Sequence, residues 1–260
     1  MNFLTQTKWL ETAPEWIQNA PQWLQGLLYD LNQTFIYQDR WTFFLDGLKI
    51  TFLVTLGALT IGIILGLIVA IVRTVYDTSA ETKQPSFFLR IANSICNLYL
   101  TVIRGTPMMV QLLIMGFVIM VPKTETETIL CGIVTLGINS GAYVAEIARS
   151  GLMSISKGQT EAGRSLGLNF LQTMWHIVIP QALKNILPAL GNEMITLLKD
   201  TSLVSVIALR DVTKQTQQLV SVSYQTYIPY LTLAGIYLVI VIILTKLLGL
   251  LERRLRRSGR

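Results

Sequence analysis

Residues 50–72 read ITFLVTLGALTIGIILGLIVAIV, a run of 23 residues without a charged side chain. The hydrocarbon layer of a bilayer is about 30 Å thick, and a helix needs about 20 apolar residues to cross it. We therefore predict a transmembrane helix here. Gly57, Gly62 and Gly66 recur along it, and small residues allow membrane helices to approach closely.

The composition agrees with a chain that lies mostly in lipid. Of the 260 residues, 52% are hydrophobic and 14% are charged, with a mean hydropathy of +0.52. Soluble domains carry about 25% charged residues. The net charge of +6 arises partly from the arginines after residue 252. A basic tail directly after an apolar segment is typical of a cytoplasmic membrane boundary rather than of a nucleic-acid-binding arm, so we expect no nucleic-acid partner.

Residues 87–121 are too long for one straight span and contain Arg104-Gly105-Thr106-Pro107. Because proline breaks or kinks a helix, we expect a shallow entry helix to about residue 103 and a second span to residue 121. Further spans are predicted at about 128–149, 186–207 and 228–251, with a polar loop at about 73–84 after the first span. The predicted fold is all-α, a polytopic membrane protein with five transmembrane helices.

The orientation follows from the positions of lysine and arginine, which concentrate in cytoplasmic loops. One set of loops is rich in cations, and it contains residues 73, 83, 90, 149, 157, 164 and 184 and the C-terminal arginines. The other set interleaves its cations with many acids, and it contains residues 8, 40, 49, 123, 210 and 214. The cation-rich set is therefore predicted to be cytoplasmic, which places the N-terminus outside and the C-terminus inside a multi-pass plasma-membrane protein.

Three regions are predicted along the chain. Residues 1–42 carry Trp9, Trp16 and Trp23 at seven-residue spacing, with Pro14 and Pro21 between them. Tryptophan favours the headgroup zone of a bilayer, so we predict short helices outside the membrane that lie on its surface with the indoles on one face. A poorly ordered amphipathic tail is the open alternative. Residues 43–255 form the predicted transmembrane domain, and residues 256–260 form a basic cytoplasmic tail.

No enzyme site is indicated by the residues. The single histidine, His176, has no cysteine or histidine companion at ligand spacing and no partner that would orient it as a base. The phosphate-binding pattern G-x-x-x-x-G-K-[ST] is absent from the sequence. We expect no catalytic residue, no metal and no cofactor bound by this chain, so that any ATP that drives it binds another polypeptide.

The loop at about 150–180 is the most informative polar stretch. It reads QTEAGRSLG from Gln159 to Gly167 and continues to Ile177, Ile179 and Pro180. The residues predict a short helix with small side chains on one side, ending at a proline. A loop of about thirty residues is usually functional in a compact protein, so docking of a partner and an ordinary re-entry loop both stay open.

The same residues resemble a known family. Glu161-Ala162-Gly163, followed by Gly167 and then by Ile177-Val-Ile179-Pro180, resembles the "EAA" loop of ABC importer permeases. Gly163 replaces the usual second alanine, and Ile179 replaces the usual leucine before proline. In that family the loop forms a coupling helix seated in a cleft of the ATP-binding subunit. The resemblance implies coupling roles for Gln159, Glu161, Ala162, Gly163, Ser165 and Gly167.

Four more stretches narrow the resemblance. RGTPMMVQ at 104–111, NSGAYVAEI at 139–147, LKNILPALGN at 183–192 and LLKDTSL at 197–203 are similar to polar amino-acid permeases of the histidine/glutamine/arginine type. The resemblance covers roughly residues 43–255. It implies a type I importer permease fold in a bacterial plasma (inner) membrane. It also implies a complex with a second permease (this chain or a sister), a dimer of ATP-binding subunits that holds ATP and Mg, and a solute-binding protein.

Ionisable groups inside a membrane are costly and usually face a cavity or a partner. The candidates for contact with an amino-acid substrate are Arg104, Asn139, Tyr143, Glu146, Asn192, Glu193, Lys199 and Thr201. The carboxylates would meet its ammonium group, the cations its carboxylate, and the others would donate hydrogen bonds. The alternatives are that Lys199 pairs with Asp200, that Arg104 anchors a helix end, and that Glu146 pairs with Arg149 along its own helix.

Two functional alternatives are also open. One is the same importer class with another solute, such as cystine, an opine or a compatible solute. The other is an ion-driven secondary transporter, which would favour internal repeats and a mid-membrane acid. Glu193 is a possible acid of that kind, but no repeat is visible across the halves of the sequence.

Overall fold

The computed structural model describes residues 2–82 and 84–257, and it contains no strand in that part of the chain. Lys83 and residues 258–260 of the predicted basic tail lie outside the described residues. The described α-helices are α1 (Asn2–Thr12), α2 (Glu15–Gln18), α3 (Gln22–Leu31), α4 (Trp41–Thr82), α5 (Phe87–Gly105), α6 (Met108–Ile114), α7 (Glu125–Met153), α8 (Lys157–Ser165), α9 (Phe170–Thr173), α10 (Ile179–Asp200), α11 (Val212–Ser223) and α12 (Tyr227–Arg257). The all-α prediction is confirmed.

Helices α4 and α7 form the central pair of the bundle and run parallel. The three predicted glycines of α4 lie directly against α7, since a Cβ atom on Gly57 would contact Ile133, one on Gly62 would contact Ser140, and one on Gly66 would contact Val144. The absence of side chains at these positions lets the two backbones approach closely. The apolar core next to this seam includes Val54, Ala58, Leu112, Cys131, Leu136, Leu197 and Val204.

The predicted break at Arg104–Pro107 is confirmed. Helix α5 ends at Gly105, α6 begins at Met108, and the two axes meet at 106°. Helix α6 continues through a π-helical turn, Met115–Ile119. These 12 residues rise about 18 Å, less than the hydrocarbon thickness of about 30 Å. The pair therefore makes one bent crossing only if both helices contribute to it.

The number of spans stays a prediction at five. Among the described residues, three helices (α4, α7 and α12) are long and apolar enough to cross a membrane. If the bent pair of α5 and α6 counts as one span, the number of candidate spans is four. Helix α10 has 22 residues and a length of about 33 Å, but it carries Lys184, Glu193, Lys199 and Asp200.

Two predicted boundaries are wrong. The fourth span was expected over 186–207, whereas α10 begins at Ile179 and ends at Asp200, followed by a 3₁₀ helix, Thr201–Ile207. Pro180 explains the early start, because proline is favoured in the first turn of a helix, where its missing N–H is not needed. The loop expected at 73–84 is helical to Thr82, because nothing before Pro85 stops α4.

Helix α11 packs across one end of α4. A Cβ atom on Gly47 would lie 2.5 Å from the Cα atom of Val212, and the Val212 N–H donates to the Thr51 hydroxyl at 3.2 Å. Asp211 caps α11 by accepting hydrogen bonds from the backbone N–H groups of Thr213 and Lys214. Burial raises the pKa of Asp211 to about 6. The start of α4 and the loop after α10 therefore share one end of the bundle.

The N-terminal segment consists of short helices, as predicted, and its three indoles differ in exposure. Pro14 and Pro21 are the N-cap residues of α2 and α3, so the seven-residue spacing crosses two helix breaks. Trp9 packs edge-on against Tyr29 at 5.6 Å between ring centroids, whereas Trp16 and Trp23 are 64% and 70% exposed.

Candidate translocation cavities and docking loop

A cluster of charged residues joins α4, α5 and α7. The Arg73 guanidinium donates to Glu146 Oε1 at 2.9 Å, and Arg104 Nη1 lies 3.5 Å from the same oxygen. The guanidinium carbon of Arg104 also lies 5.7 Å from the ring centroid of Tyr143. These charged groups face an open cavity of about 420 Å³, which we name the arginine cavity; its walls are Arg73, Asn97, Leu100, Thr101, Arg104, Gly105 and Glu146.

A second cavity lies beyond the α5–α6 break and has the opposite charge. Its volume is about 200 Å³, and we name it the acidic cavity; its walls are Thr106, Met108, Asn139, Tyr143, Glu193, Thr196, Leu197 and Asp200. Glu193 Oε1 accepts a hydrogen bond from the Ser140 hydroxyl at 2.8 Å, and the Asn139 amide donates to Gln111 Oε1 at 2.9 Å. Neither Glu193 nor Asp200 forms an ion pair within 4.0 Å with any described residue.

The two cavities are neighbours. Gly105 lines the arginine cavity and Thr106 lines the acidic cavity. Arg104 belongs to the first and lies over the ring of Tyr143, which belongs to the second. An elongated polar molecule at the α5–α6 break would thus meet guanidinium groups on one side and carboxylates on the other.

Five of the eight predicted substrate candidates line these cavities, and they are Arg104, Asn139, Tyr143, Glu146 and Glu193. The other three do not line either one. The Asn192 amide donates to its own helix at the Pro188 carbonyl, and Lys199 is exposed. Thr201 is wholly buried, and its hydroxyl donates to the Leu198 carbonyl at 2.6 Å, which leaves it unable to meet a substrate.

Two of the sequence-based alternatives for the charged residues are not supported by the contacts, whereas Arg104 does lie in the last turn of α5. Glu146 does not pair with Arg149 along α7, because Arg149 reaches across to Asp77 of α4 at 2.9 Å. Lys199 and Asp200 form no ion pair within 4.0 Å. Arg73, Gln111 and Ser140 were not among the predicted site residues. Their hydrogen-bond partners, Glu146, Asn139 and Glu193, lie 73, 28 and 53 residues away along the chain.

The loop between α7 and α10 folds as a short helix, α8, followed by α9 and a π-helical turn, Met174–Val178. Gly167, at φ +80°, reverses the chain after α8, and Asn169 caps α9 in a reciprocal pair with Gln172. The prediction that a proline ends the short helix is wrong, because Pro180 lies in the first turn of α10.

The predicted coupling residues divide into two groups. Gly163 is buried, and a Cβ atom there would lie 2.7 Å from Thr173 Cγ2 and 3.1 Å from Ile177 Cδ1. It therefore sets the close packing of α8 on the segment that leads into α10. The exposed members form the docking loop surface, and they are Gln159, Glu161, Ala162, Ser165 and Gly167.

Large apolar side chains extend this surface. Leu166, Leu171 and Trp175 are 80%, 76% and 69% exposed. All three lie within residues 166–175, and a contiguous exposed apolar patch marks a site of protein or membrane contact. They were not selected from the sequence, since isolated leucines and a tryptophan in a polar loop carry no periodic pattern.

No group of three or more histidine, cysteine, aspartate or glutamate side chains lies together within residues 2–82 and 84–257. The site is instead defined by polar cavities between apolar helices and by an exposed loop at one end of the bundle. These features together are those of a polytopic membrane protein with polar cavities between its helices.

Comparison with known proteins identifies the family. Residues 62–257 match the model of the "Binding-protein-dependent transport system inner membrane component" family, and the chain belongs to it. It is 35% identical over 214 residues to the glutamine transport system permease protein GlnP of Escherichia coli K12, covering 82% of this chain and 92% of that protein. It is 38% identical over 220 residues to the arginine transport system permease protein ArtQ of Bacillus subtilis, covering 83% and 94%.

Two solved structures share the fold. The crystal structure of an amino acid ABC transporter with histidines matches with a TM-score of 0.74 and 40% identity, covering 85% of this chain and 98% of the other. The inward-facing MetNI methionine ABC transporter matches with a TM-score of 0.57 and 19% identity, covering 84% and 94%. The type I permease fold predicted from the sequence is confirmed. Neither the family match nor the roughly 85% coverage extends over the whole N-terminal segment.

Proposed function

We propose that this chain is the transmembrane permease subunit of an ATP-binding cassette importer that moves a polar amino acid into the cytoplasm. The observation that carries the proposal is the pair of oppositely charged cavities at the α5–α6 break, since a zwitterion needs both signs of charge at close range. The glutamine and arginine permeases among its relatives support the same solute class.

ATP and Mg belong, in this proposal, to a separate dimer of ATP-binding subunits that docks on the loop at about 150–180. The contacts of α8 provide a route for coupling. Gly163 packs α8 on Thr173 and Ile177, and the π-helical turn that contains Ile177 runs directly into α10. Movement of α8 by the partner would therefore be passed to the helix that carries Glu193 and Asp200.

The remaining partners are a second permease, either this chain or a sister, and a solute-binding protein on the outer side. Helix α5 exposes Ile95 and Leu98, and the π-helical turn after α6 exposes Phe117 and Val118. Lipid and a second permease would share these faces.

Purification of the tagged chain from its own host in a mild detergent tests the function. We expect a stoichiometric P-loop ATPase to accompany it, and mass spectrometry of the complex to show whether the second permease is identical. A stable chain that emerges alone from several detergents would contradict the proposal and would favour ion-driven transport.

We further propose a plasma-membrane topology with the N-terminus outside and the C-terminus in the cytoplasm. The structure brings Asp77 of α4, Arg149 of α7 and α8 together at one end, while the start of α4 meets α11 at the other. The α1–α3 segment would then lie at the outer surface, with Trp16 and Trp23 at the headgroups.

Reporter fusions test this topology. Alkaline phosphatase is active only outside the cytoplasm, so we expect it to be active before Met1 and inactive after Arg260, with the reverse pattern for a cytoplasmic fluorescent reporter. If both termini were found on the same side of the membrane, the number of spans would be even, which would contradict the five-span prediction.

A further inference from the structure

We infer that a third cavity, between α4, α7 and the loop at about 150–180, binds the phosphate headgroup of an anionic phospholipid of the cytoplasmic leaflet. We name it the inner cavity; its volume is about 360 Å³, and its walls include Thr74, Asp77, Arg149, Lys157, Arg164 and Phe170. It shares no wall residue with the arginine cavity or the acidic cavity. The inference rests on the proposed function and topology, which place this end of the bundle at the cytoplasmic side.

The depth of the inner cavity matches the headgroup zone of a bilayer. The uncharged run of α4 ends at Val72, and Thr74 and Asp77 follow two and five residues later. At about 1.5 Å of rise per residue, these two side chains start about 3 and 7.5 Å beyond the apolar run. The headgroup layer is about 5–7 Å thick on each side of the hydrocarbon core. The cavity would therefore lie level with the phosphates of the inner leaflet.

The inner cavity has hydrogen-bond donors that the protein leaves unused. The Thr74 hydroxyl oxygen is buried and has no partner among the described residues. Arg149 donates to Asp77 Oδ2 from Nε and Nη2, at 3.3 and 2.9 Å, and no described residue accepts from its Nη1. Arg164 forms no ion pair within 4.0 Å in the part of the chain that the structure describes. Phosphate oxygens are strong acceptors that suit such a set of donors.

The charge of the walls also favours an anion. They contain three cations, Arg149, Lys157 and Arg164, and two carboxylates, Asp77 and Glu161, so their formal charge is +1. Asp77 is paired with Arg149, and Glu161 is an exposed member of the docking loop surface. Basic pockets between membrane helices on the cytoplasmic side bind anionic headgroups. A phosphatidylglycerol headgroup, with one negative charge, would neutralise the cavity, whereas phosphatidylcholine has no net charge.

An apolar stripe on α4 leads from the bilayer to the inner cavity, and it favours a lipid over a soluble phosphate ester. Ile68, Ile71 and Val75 are exposed. They share one helix face with Thr78, which lines the cavity, because the four residues are spaced by three, four and three. Phe170 adds an apolar group to the cavity wall. An acyl chain along this stripe would bring its headgroup to the donors, and a soluble ester would leave the stripe unused.

The test uses the intact complex with its ATP-binding subunits in nanodiscs that contain phosphatidylcholine and phosphatidylglycerol. The complex is released into mild detergent, and native mass spectrometry counts the lipids that it retains. We expect phosphatidylglycerol to be retained about fivefold or more over phosphatidylcholine. Equal retention of the two lipids would overturn the inference. Displacement of phosphatidylglycerol by glycerol 3-phosphate would also overturn it, because the cavity would then take a soluble phosphate ester.

Matched charge removals separate a built site from general attraction to a basic surface. Arg164→Gln removes a guanidinium group from the cavity wall, and we expect it to lower phosphatidylglycerol retention about fivefold. Arg254→Gln removes an exposed arginine at the end of α12, outside the cavity, and should change retention less than about twofold. Retention is compared only in complexes that keep their ATPase. Equal losses for the two variants would indicate diffuse attraction and would contradict the site.

Photolabelling locates the lipid independently of any substitution. A phosphatidylglycerol with a diazirine next to its headgroup is crosslinked in the same nanodiscs, and the labelled peptides are sequenced by mass spectrometry. We expect labels on the peptides that contain Met153 and Phe170, both of which line the inner cavity. Labels confined to α5 or α12 would refute the site. The importer assignment is tested separately, since it fails only if no ATPase copurifies.

Discussion

Gly66→Leu is expected to prevent the chain from accumulating as a folded membrane protein. A Cβ atom at this position would lie 2.6 Å from Cβ and Cγ1 of Val144 and 2.9 Å from the backbone nitrogen of Ala145. The obstacle includes the α7 backbone, which cannot rotate away as the end of a flexible side chain could. Overpacking typically costs about 1–3 kcal/mol where a core can adjust, and here the α4–α7 pair would have to separate along its length.

The measurement is the amount of monodisperse protein that elutes after detergent extraction, with a fluorescent fusion as the tracer. Gly235→Leu in α12 is the matched control, because a Cβ atom at Gly235 would meet nothing within 4 Å. It makes the same chemical change in another long apolar helix and should leave the yield unaltered. A normal elution profile for Gly66→Leu would show that α4 and α7 are not held as close as the structure describes.

Gly167→Asp is expected to abolish ATP-driven uptake while leaving the protein in the membrane. Gly167 is exposed at the end of α8, and a Cβ atom there would meet nothing within 4 Å of its own chain. A side chain at this position therefore projects away from the bundle, on the side where the proposed ATP-binding subunit would dock. A carboxylate left unpaired at a protein interface costs about 2 kcal/mol or more, or about thirtyfold in affinity.

Two control variants separate the contributions of backbone strain, side-chain bulk and charge to the expected loss of uptake. The positive φ of +80° strains most L-residues, but asparagine and aspartate tolerate it best. Gly167→Asn has the size and backbone preference of Gly167→Asp without the charge, so we expect it to retain part of the uptake. Gly158→Asp introduces the same charge at the start of α8, on the exposed side of that helix. Full uptake by a well-expressed Gly167→Asp variant would contradict the assignment of this surface to the ATP-binding subunit.

The packing of Gly163 also changes how the loop is understood. Family resemblance placed Gly163 among the residues that couple to the partner, but its Cα faces Thr173 and Ile177 inside the loop. It is positioned to hold α8 against the start of α10. The exposed residues Leu166, Leu171 and Trp175 are larger contact groups than any of the small residues that the motif highlights.

The sequence by itself determined the class of this protein, because the signals for it are local. A run of 23 uncharged, apolar residues predicts a membrane helix whatever its neighbours are. The proline within 104–107 breaks a helix through its own ring. The loop residues from Gln159 to Pro180 match a family pattern without reference to the rest of the chain. The all-α fold, the break before Pro107 and the importer family followed from these signals and were confirmed.

Only the tertiary structure decided which polar groups meet. Arg73 was assigned to a loop by its charge, yet it lies on α4 and pairs with Glu146 of α7, while Thr201 was a candidate donor and proves to be sealed inside the bundle. The energy of an ion pair or a buried hydroxyl depends on the distance to its partner and on the water excluded around it, and neither is encoded in spacing along the chain. The opposed charges of the two cavities arise from the close approach of α4, α5, α7 and α10, so they could not be predicted until those helices were packed.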